Sequence, residues 1–144
     1  MKKQEFRFFT ILSLFIFMAA ASVYAQSVDS IDVYIPFEFV AGDKTLPAGE
    51  YTVKPISIAS TSGLLIKSKD QSLFMKLLTN PAQASARQAK TKLVFNLYGE
   101  HYFLSQVWTS GSNLGRELRK SHIELELAMS GSDLQIVSVI AHRQ

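Results

Sequence analysis

The side chains able to do chemistry are few in this chain and lie far apart in sequence. There are three histidines, His101, His122 and His142, and no cysteine. No H-x-x-x-H pair occurs, so imidazoles at zinc-ligand spacing are missing. Nucleophilic catalysis needs a Cys, or a Ser held on a sharp elbow, and neither Ser62, Ser110 nor Ser112 lies in a G-x-S-x-G run. Asp29 and Asp32 lack a calcium-loop pattern, and no Lys-Ser or Lys-Thr pair follows Gly111–Gly115 to make a phosphate loop. Glu124 and Glu126 share a face only in a strand. The expectation is a protein with no catalytic set, no metal and no cofactor.

Two constellations keep functional interest. Arg116, Arg119 and Lys120 form a basic cluster that suits an anionic glycan or lipid headgroup, although Glu117 interrupts it and a solvated helix face also accounts for it. Tyr98, Tyr102 and Trp108 have the rings for a stacking platform, although core packing needs the same residues. His101, next to Glu100 at the hairpin tip, is better read as a solvated turn residue. The possible ligand surface therefore reduces to Tyr98, His101, Arg116 and Arg119.

The elements that must position these residues centre on Lys92–Trp108, two alternating runs folded at Gly99-Glu100. Gly first in a two-residue loop favours a type II′ turn. That turn pairs Leu97 with Tyr102, Phe95 with Leu104 and Leu93 with Gln106, and sets Trp108 on their face. Val94, Asn96, Tyr98, His101, Phe103, Ser105 and Val107 then point the other way. An isolated hairpin is marginal, so the apolar face requires a cover.

Around the hairpin, Ile31–Phe39 alternates cleanly, with Pro36 marking an edge or a bulge. Leu46–Gly49 suits a type I turn. Strands follow from Tyr51 towards Ile56 or Ile58, over Leu64–Ser68 and over Leu73–Thr79, with turns at Ser60–Gly63 and Lys69–Gln71. Residues 80–91 are polar, Ala-rich and aperiodic, and read as a flexible loop. Leu114–Met129 is ambiguous. Its alternation suggests a strand, but Leu118, His122, Leu125 and Met129 follow helical spacing, Ser121 with Glu124 makes a capping box, and Gly131 suits a C-terminal cap. Helix is favoured. Leu134–Ile140, rich in β-branched residues, closes the chain as a strand. Seven strands and one short helix near residues 116–130 predict a mainly β, single-domain antiparallel sandwich or small barrel over residues 26–144.

Ahead of this domain, residues 1–25 open with Lys2, Lys3 and Arg7, run apolar from Phe8 to Ala21, and end on Val23-Tyr24-Ala25. Fourteen residues are too short to span a bilayer. The pattern is that of a secretory signal peptide cut after Ala25, and it predicts a periplasmic or secreted protein with no transmembrane segment after removal. Of 15 Lys/Arg and 12 Asp/Glu, this leader holds Lys2, Lys3, Arg7 and Glu5. Twelve basic and eleven acidic groups remain, a net of +1, so the sequence pI near 9.2 does not argue for nucleic acid.

Ile35–Phe39, Gly42–Val53, Leu93–Phe95, Tyr98-Gly99, Tyr102–Trp108 and Gly115–Leu118 together resemble a family of small signal-peptide-bearing proteins of acidobacterial-type soil bacteria. The resemblance covers most of the mature domain and implies export, and it brings no activity, cofactor or catalytic residue. The family pattern has Pro where this chain has Arg119, which weakens a sharp helix start. Leu46–Val53 alone is also similar to the start of a strand in transthyretin-like sandwich domains. The resulting expectation is an exported non-enzymatic β-domain that binds an envelope or extracellular ligand or serves as structure. The alternatives are a secreted hydrolase or lyase whose site assembles only in the fold, and a self-assembling protein that pairs through Ile31–Phe39.

Overall fold

A computed structural model describes residues 30–58 and 61–144; the leader and its cut after Ala25 lie outside these residues. The elements are β1 (Ile31–Ile35), β2 (Phe39–Ala41), β3 (Lys44–Leu46), β4 (Gly49–Ile58), β5 (Thr61–Ser68), β6 (Phe74–Gln83), β7 (Lys92–Tyr98), β8 (His101–Trp108), β9 (Leu114–Leu118), α1 (His122–Met129), β10 (Leu134–Ile140) and β11 (His142–Arg143). The chain is mainly β with a single short helix among the described residues, as the patterning predicts. Among the described residues the strands number eleven rather than seven. The additions, β2, β3, β9 and β11, have two to five residues, too few for period two to register.

All strands belong to one sheet, ordered β10-β7-β8-β9-β6-β5-β4-β1-β11, with β2 and β3 attached at β8. β6 is the corner: Phe74–Leu78 pairs with β5, and Thr79–Gln83 with β9. The pairing path is open, yet its ends β10 and β11 are consecutive in the chain. Between them the N–H of Ala141 donates to Thr91 O at 2.9 Å. Side chains from both halves of the sheet meet in one core. Phe39, Phe95, Ile35, Leu64, Ile66, Leu93 and Val53 fill its interior. Phe37 and Phe39 both meet Phe95 edge-on, at 5.1 and 5.5 Å between centroids.

Ile31–Phe39 is not one strand and not a free edge. Proline has no N–H to offer a ladder, and at Pro36 the chain leaves β4 and crosses to β8. There Phe39 and Val40 pair in parallel with Tyr102 and Phe103. β4 lies on one side of β1, and β11 covers Ile31 and Asp32 on the other. This removes part of the edge on which self-assembly would rely.

Two expectations after residue 79 are also corrected. Asn80–Gln83, read as loop, is strand because β9 supplies its partners. Residues beyond it are tied to the 109–113 turn, through Ala84 N to Asn113 O at 2.9 Å and Gln88 N to Ser112 O at 2.9 Å. Leu114–Leu118, placed in the helix by residue propensity, is strand because β6 and β8 flank it on both sides. The helix starts at the capping residue read from sequence: Ser121 Oγ accepts from Glu124 N at 3.1 Å. It stops where Gly131 takes φ +78°.

In the central hairpin, Gly99 has φ +62°, and Gln71 is the only non-glycine with positive φ among the described residues. Positive φ at the first loop residue alone is the type II′ signature. Leu97 pairs with Tyr102 and Phe95 with Leu104, as expected. Beyond that point the register slips. Val94 faces Gln106 and Leu93 faces Val107, with Ser105 as the extra residue. A one-residue bulge exchanges the faces of everything after it. Val107 therefore enters the core with Leu93, and Gln106 and Trp108 move to the outer face.

Candidate functional site

That bulge decides what the outer face of β7–β8 can do. Trp108 is buried, as expected, but on the face opposite Phe95. Its Nε1 donates to Gln106 Oε1 at 3.0 Å, and its ring lies on the β9 backbone at Gly115. A Cβ there would sit 2.5 Å from Trp108 Cε3, so the contact exists only because residue 115 has no side chain.

Further along the same face, Asn96, Tyr98 and Phe103 are 7%, 3% and 2% exposed although they point away from the core. The segment through Lys120 and α1 covers them. Asn96 Nδ2 donates to Glu124 Oε1 at 2.7 Å, and Glu124 is itself 3% exposed. Lys120 Nζ reaches Tyr98 Oη at 3.4 Å, and Tyr98 meets Phe103 edge-on at 5.9 Å. The helix thus docks through a glutamate while Ile123, Leu125 and Met129 face outward. The expected stripe of His122, Leu125 and Met129 is exposed, not packed.

The sequence-derived ligand surface does not assemble. Tyr98 is buried by the cover just described and offers no ring to a ligand. His101 is exposed at the hairpin tip, paired with Tyr98. Arg116 lies on β9 against Pro81 and Val107, half-buried beside a cleft of about 320 Å³ that it shares with Ile31, Leu64 and Val107. Six residues of β8 separate the levels of His101 and Arg116, roughly 20 Å of strand. Arg119 is exposed in the link between β9 and α1. The basic cluster is therefore not one solvated helix face, because Arg116 is in a strand and Arg119 and Lys120 precede the helix.

The carboxylates with hydrogen-bonded partners work as structural ties. Asp32 accepts from Thr52 Oγ1 at 2.8 Å and from the terminal Gln144 amide. Asp70 accepts from Ser68 Oγ, from Ser72 N at 3.0 Å and from Ser72 Oγ at 2.7 Å in the β5–β6 turn. Those bonds, that from Ser68 first, hold its carboxyl down to about 2. His101, His122 and His142 stand on three different elements, and no group of three His, Asp or Glu is placed to hold a metal among the described residues.

A cationic face missed in the sequence lies on the outer side of β4–β6. Thr52 pairs with Lys67, which pairs with Phe74; one row along, Lys54 pairs with Leu65 and Leu65 with Lys76. All six side chains alternate with the buried Val53, Leu64, Ile66 and Leu77 and therefore point outward. A shallow groove of about 380 Å³ runs here between Lys54, Lys67, Lys69, Phe74 and Gln144. Phe74 is 59% exposed, with Lys76 Nζ 5.8 Å from its ring centre. Lys69 pairs with Glu50 at 3.6 Å, whereas Lys54, Lys67 and Lys76 have no carboxylate partner among the described residues. The period-two lysines were visible in the sequence, but the register that gathers them was not.

Comparison with known proteins adds no family: no family model, no curated protein and no solved structure matches the chain. Among the described residues, no helix is long and apolar enough to cross a membrane.

Proposed function

We propose that the chain is an exported, non-enzymatic β-domain of the periplasm or envelope that works by binding. The observation that carries this reading is the division of labour among its polar side chains. Asp32, Asp70 and Glu124 are taken up by structural hydrogen bonds, while Lys54 and Lys67 on an open groove have no carboxylate partner among the described residues. A hydrolase or lyase needs an acid and a base converging on one cleft. The charged side chains that line the groove, Lys54, Lys67 and Lys69, are cations, which favours recognition of an anion over proton transfer. Export is supported by the leader pattern of residues 1–25, and the resemblance to small exported proteins points the same way.

The test is to express the full chain in a Gram-negative host, fractionate the cells and weigh the product. A periplasmic species beginning at Gln26 is the expected result. Retention in the cytoplasm with the N-terminus intact would overturn export. Turnover of a glycosidic or ester substrate by the purified mature chain would overturn the binding reading.

A further inference from the structure

Resting on the binding reading above, we propose that the groove on the outer face of β4–β6 is a binding site for an acidic polysaccharide, with Lys54 and Lys67 as the cations that line it, Lys76 beside it on the same sheet face next to Phe74, and Phe74 as its stacking wall. The register fixes the geometry. Lys54 and Lys76 occupy one cross-strand row two strands apart, and Lys67 occupies the next row on the strand between them. With strands about 4.8 Å apart and rise about 3.4 Å per residue, the three stems form a triangle with sides of roughly 8–10 Å. Like charges this close on one sheet face repel. Glu50 is engaged with Lys69 towards the Asp70 turn, and Asp32, two strands from Lys67 at the β1 end of its row, is a single carboxylate against the three cations. A polyanion with charges spaced along its length relieves the repulsion at several points at once.

The other lining groups narrow the class. Phe74 supplies an exposed ring on which the apolar face of a sugar can lie. Lys54 and Lys67 are half-buried and line the groove. The groove is concave and its volume lies within the range of small-molecule sites, which suits a short stretch of chain. A bilayer would instead favour a convex face with its apolar side chains most prominent. The basic cluster picked out in the sequence does not compete, since Arg116 and Arg119 lie on and just after β9, away from the groove.

The experiment uses the mature chain and polygalacturonate, with a neutral cello-oligosaccharide and vesicles containing phosphatidylglycerol as parallel arms. Affinity is measured by titration calorimetry at two salt concentrations. Polygalacturonate should bind, weaken as salt rises, and exceed both other arms. The triple variant Lys54→Gln/Lys67→Gln/Lys76→Gln should lose at least tenfold in affinity, and Phe74→Ala several-fold. Arg116→Gln/Arg119→Gln, a charge change elsewhere on the surface, should leave affinity unchanged. Circular dichroism checks that each variant folds. If a lysine variant misfolds, Phe74→Ala and competition by salt still decide. Stronger binding to vesicles, equal binding by the lysine variant, or loss confined to the arginine variant overturns this site while leaving a binding protein. No binding in any arm together with measured turnover defeats the broader reading as well.

Discussion

The two outer faces of the sheet have opposite fates. On β4–β6 the outward positions hold Thr52, Lys54, Leu65, Lys67, Phe74 and Lys76 and meet solvent. On β7–β8 they hold Val94, Asn96, Tyr98, Phe103 and Trp108 and are buried. The strand period is the same in both places. What differs is the next element along the chain: the link and helix between β9 and β10 lie over the second face, and nothing among the described residues crosses the first. A face is therefore functional or structural according to what the topology lays over it.

The largest effect expected from disturbing the covered face comes at Gly115. Gly115→Ala drives a Cβ into the Trp108 ring, and overpacking of this kind costs about 3 kcal/mol, read as a lower urea midpoint. Trp108 is the only tryptophan, so a red-shifted emission in the same variant would report its release. Emission typical of a solvated indole in the unmodified protein would contradict the burial itself.

Next comes Glu124→Ala, which leaves the Asn96 amide buried without an acceptor and costs about 2 kcal/mol. Glu124→Gln keeps an acceptor and should cost less. An unchanged denaturation midpoint for both would mean that the helix is not the cover. Ser121→Ala removes the cap that starts this helix and should cost about 1 kcal/mol. On the open face Lys67→Ala should shift stability by no more than about 0.5 kcal/mol, since the side chain has no carboxylate partner among the described residues. A large loss there would assign the lysines a structural role.

The smallest effect belongs to the exposed turn beside that face. Asp70 is held at about 2, below its ordinary 3.8. Its folded value is depressed, so its contribution is fully present above the ordinary value and fades as pH falls through about 2. A proton-detected titration of the carboxyl should show this, and Ser68→Ala should raise the midpoint because that bond is the largest cause.

The central hairpin, β7–β8, shows how far the sequence reaches. Gly99 specified the turn, and the turn specified the pairs Leu97–Tyr102 and Phe95–Leu104. The sequence had no marker for the bulge at Ser105, because a bulge answers to the twist demanded by neighbouring strands. Val107 and Trp108 consequently exchanged faces. Tyr98 looked available to a ligand because the pleat points it outward, and only the docking of Lys120 and Glu124 reveals it as buried. Lys54, Lys67 and Lys76 went unremarked because they come from three segments that only cross-strand register joins.

The sequence by itself determined the β class, the helix capped by Ser121, the turn residues and the dispersal of its histidines. These follow from local terms: side-chain period, φ preference at glycine, and capping by Ser121. Tertiary structure alone decided that Leu114–Leu118 is a strand, that β6 turns the corner of the sheet, that Glu124 faces inward, and that three lysines share one sheet face. Each of these depends on partners distant in sequence, and hydrogen-bonded pairing across the sheet outweighs the few tenths of a kcal/mol per residue in local helix preference.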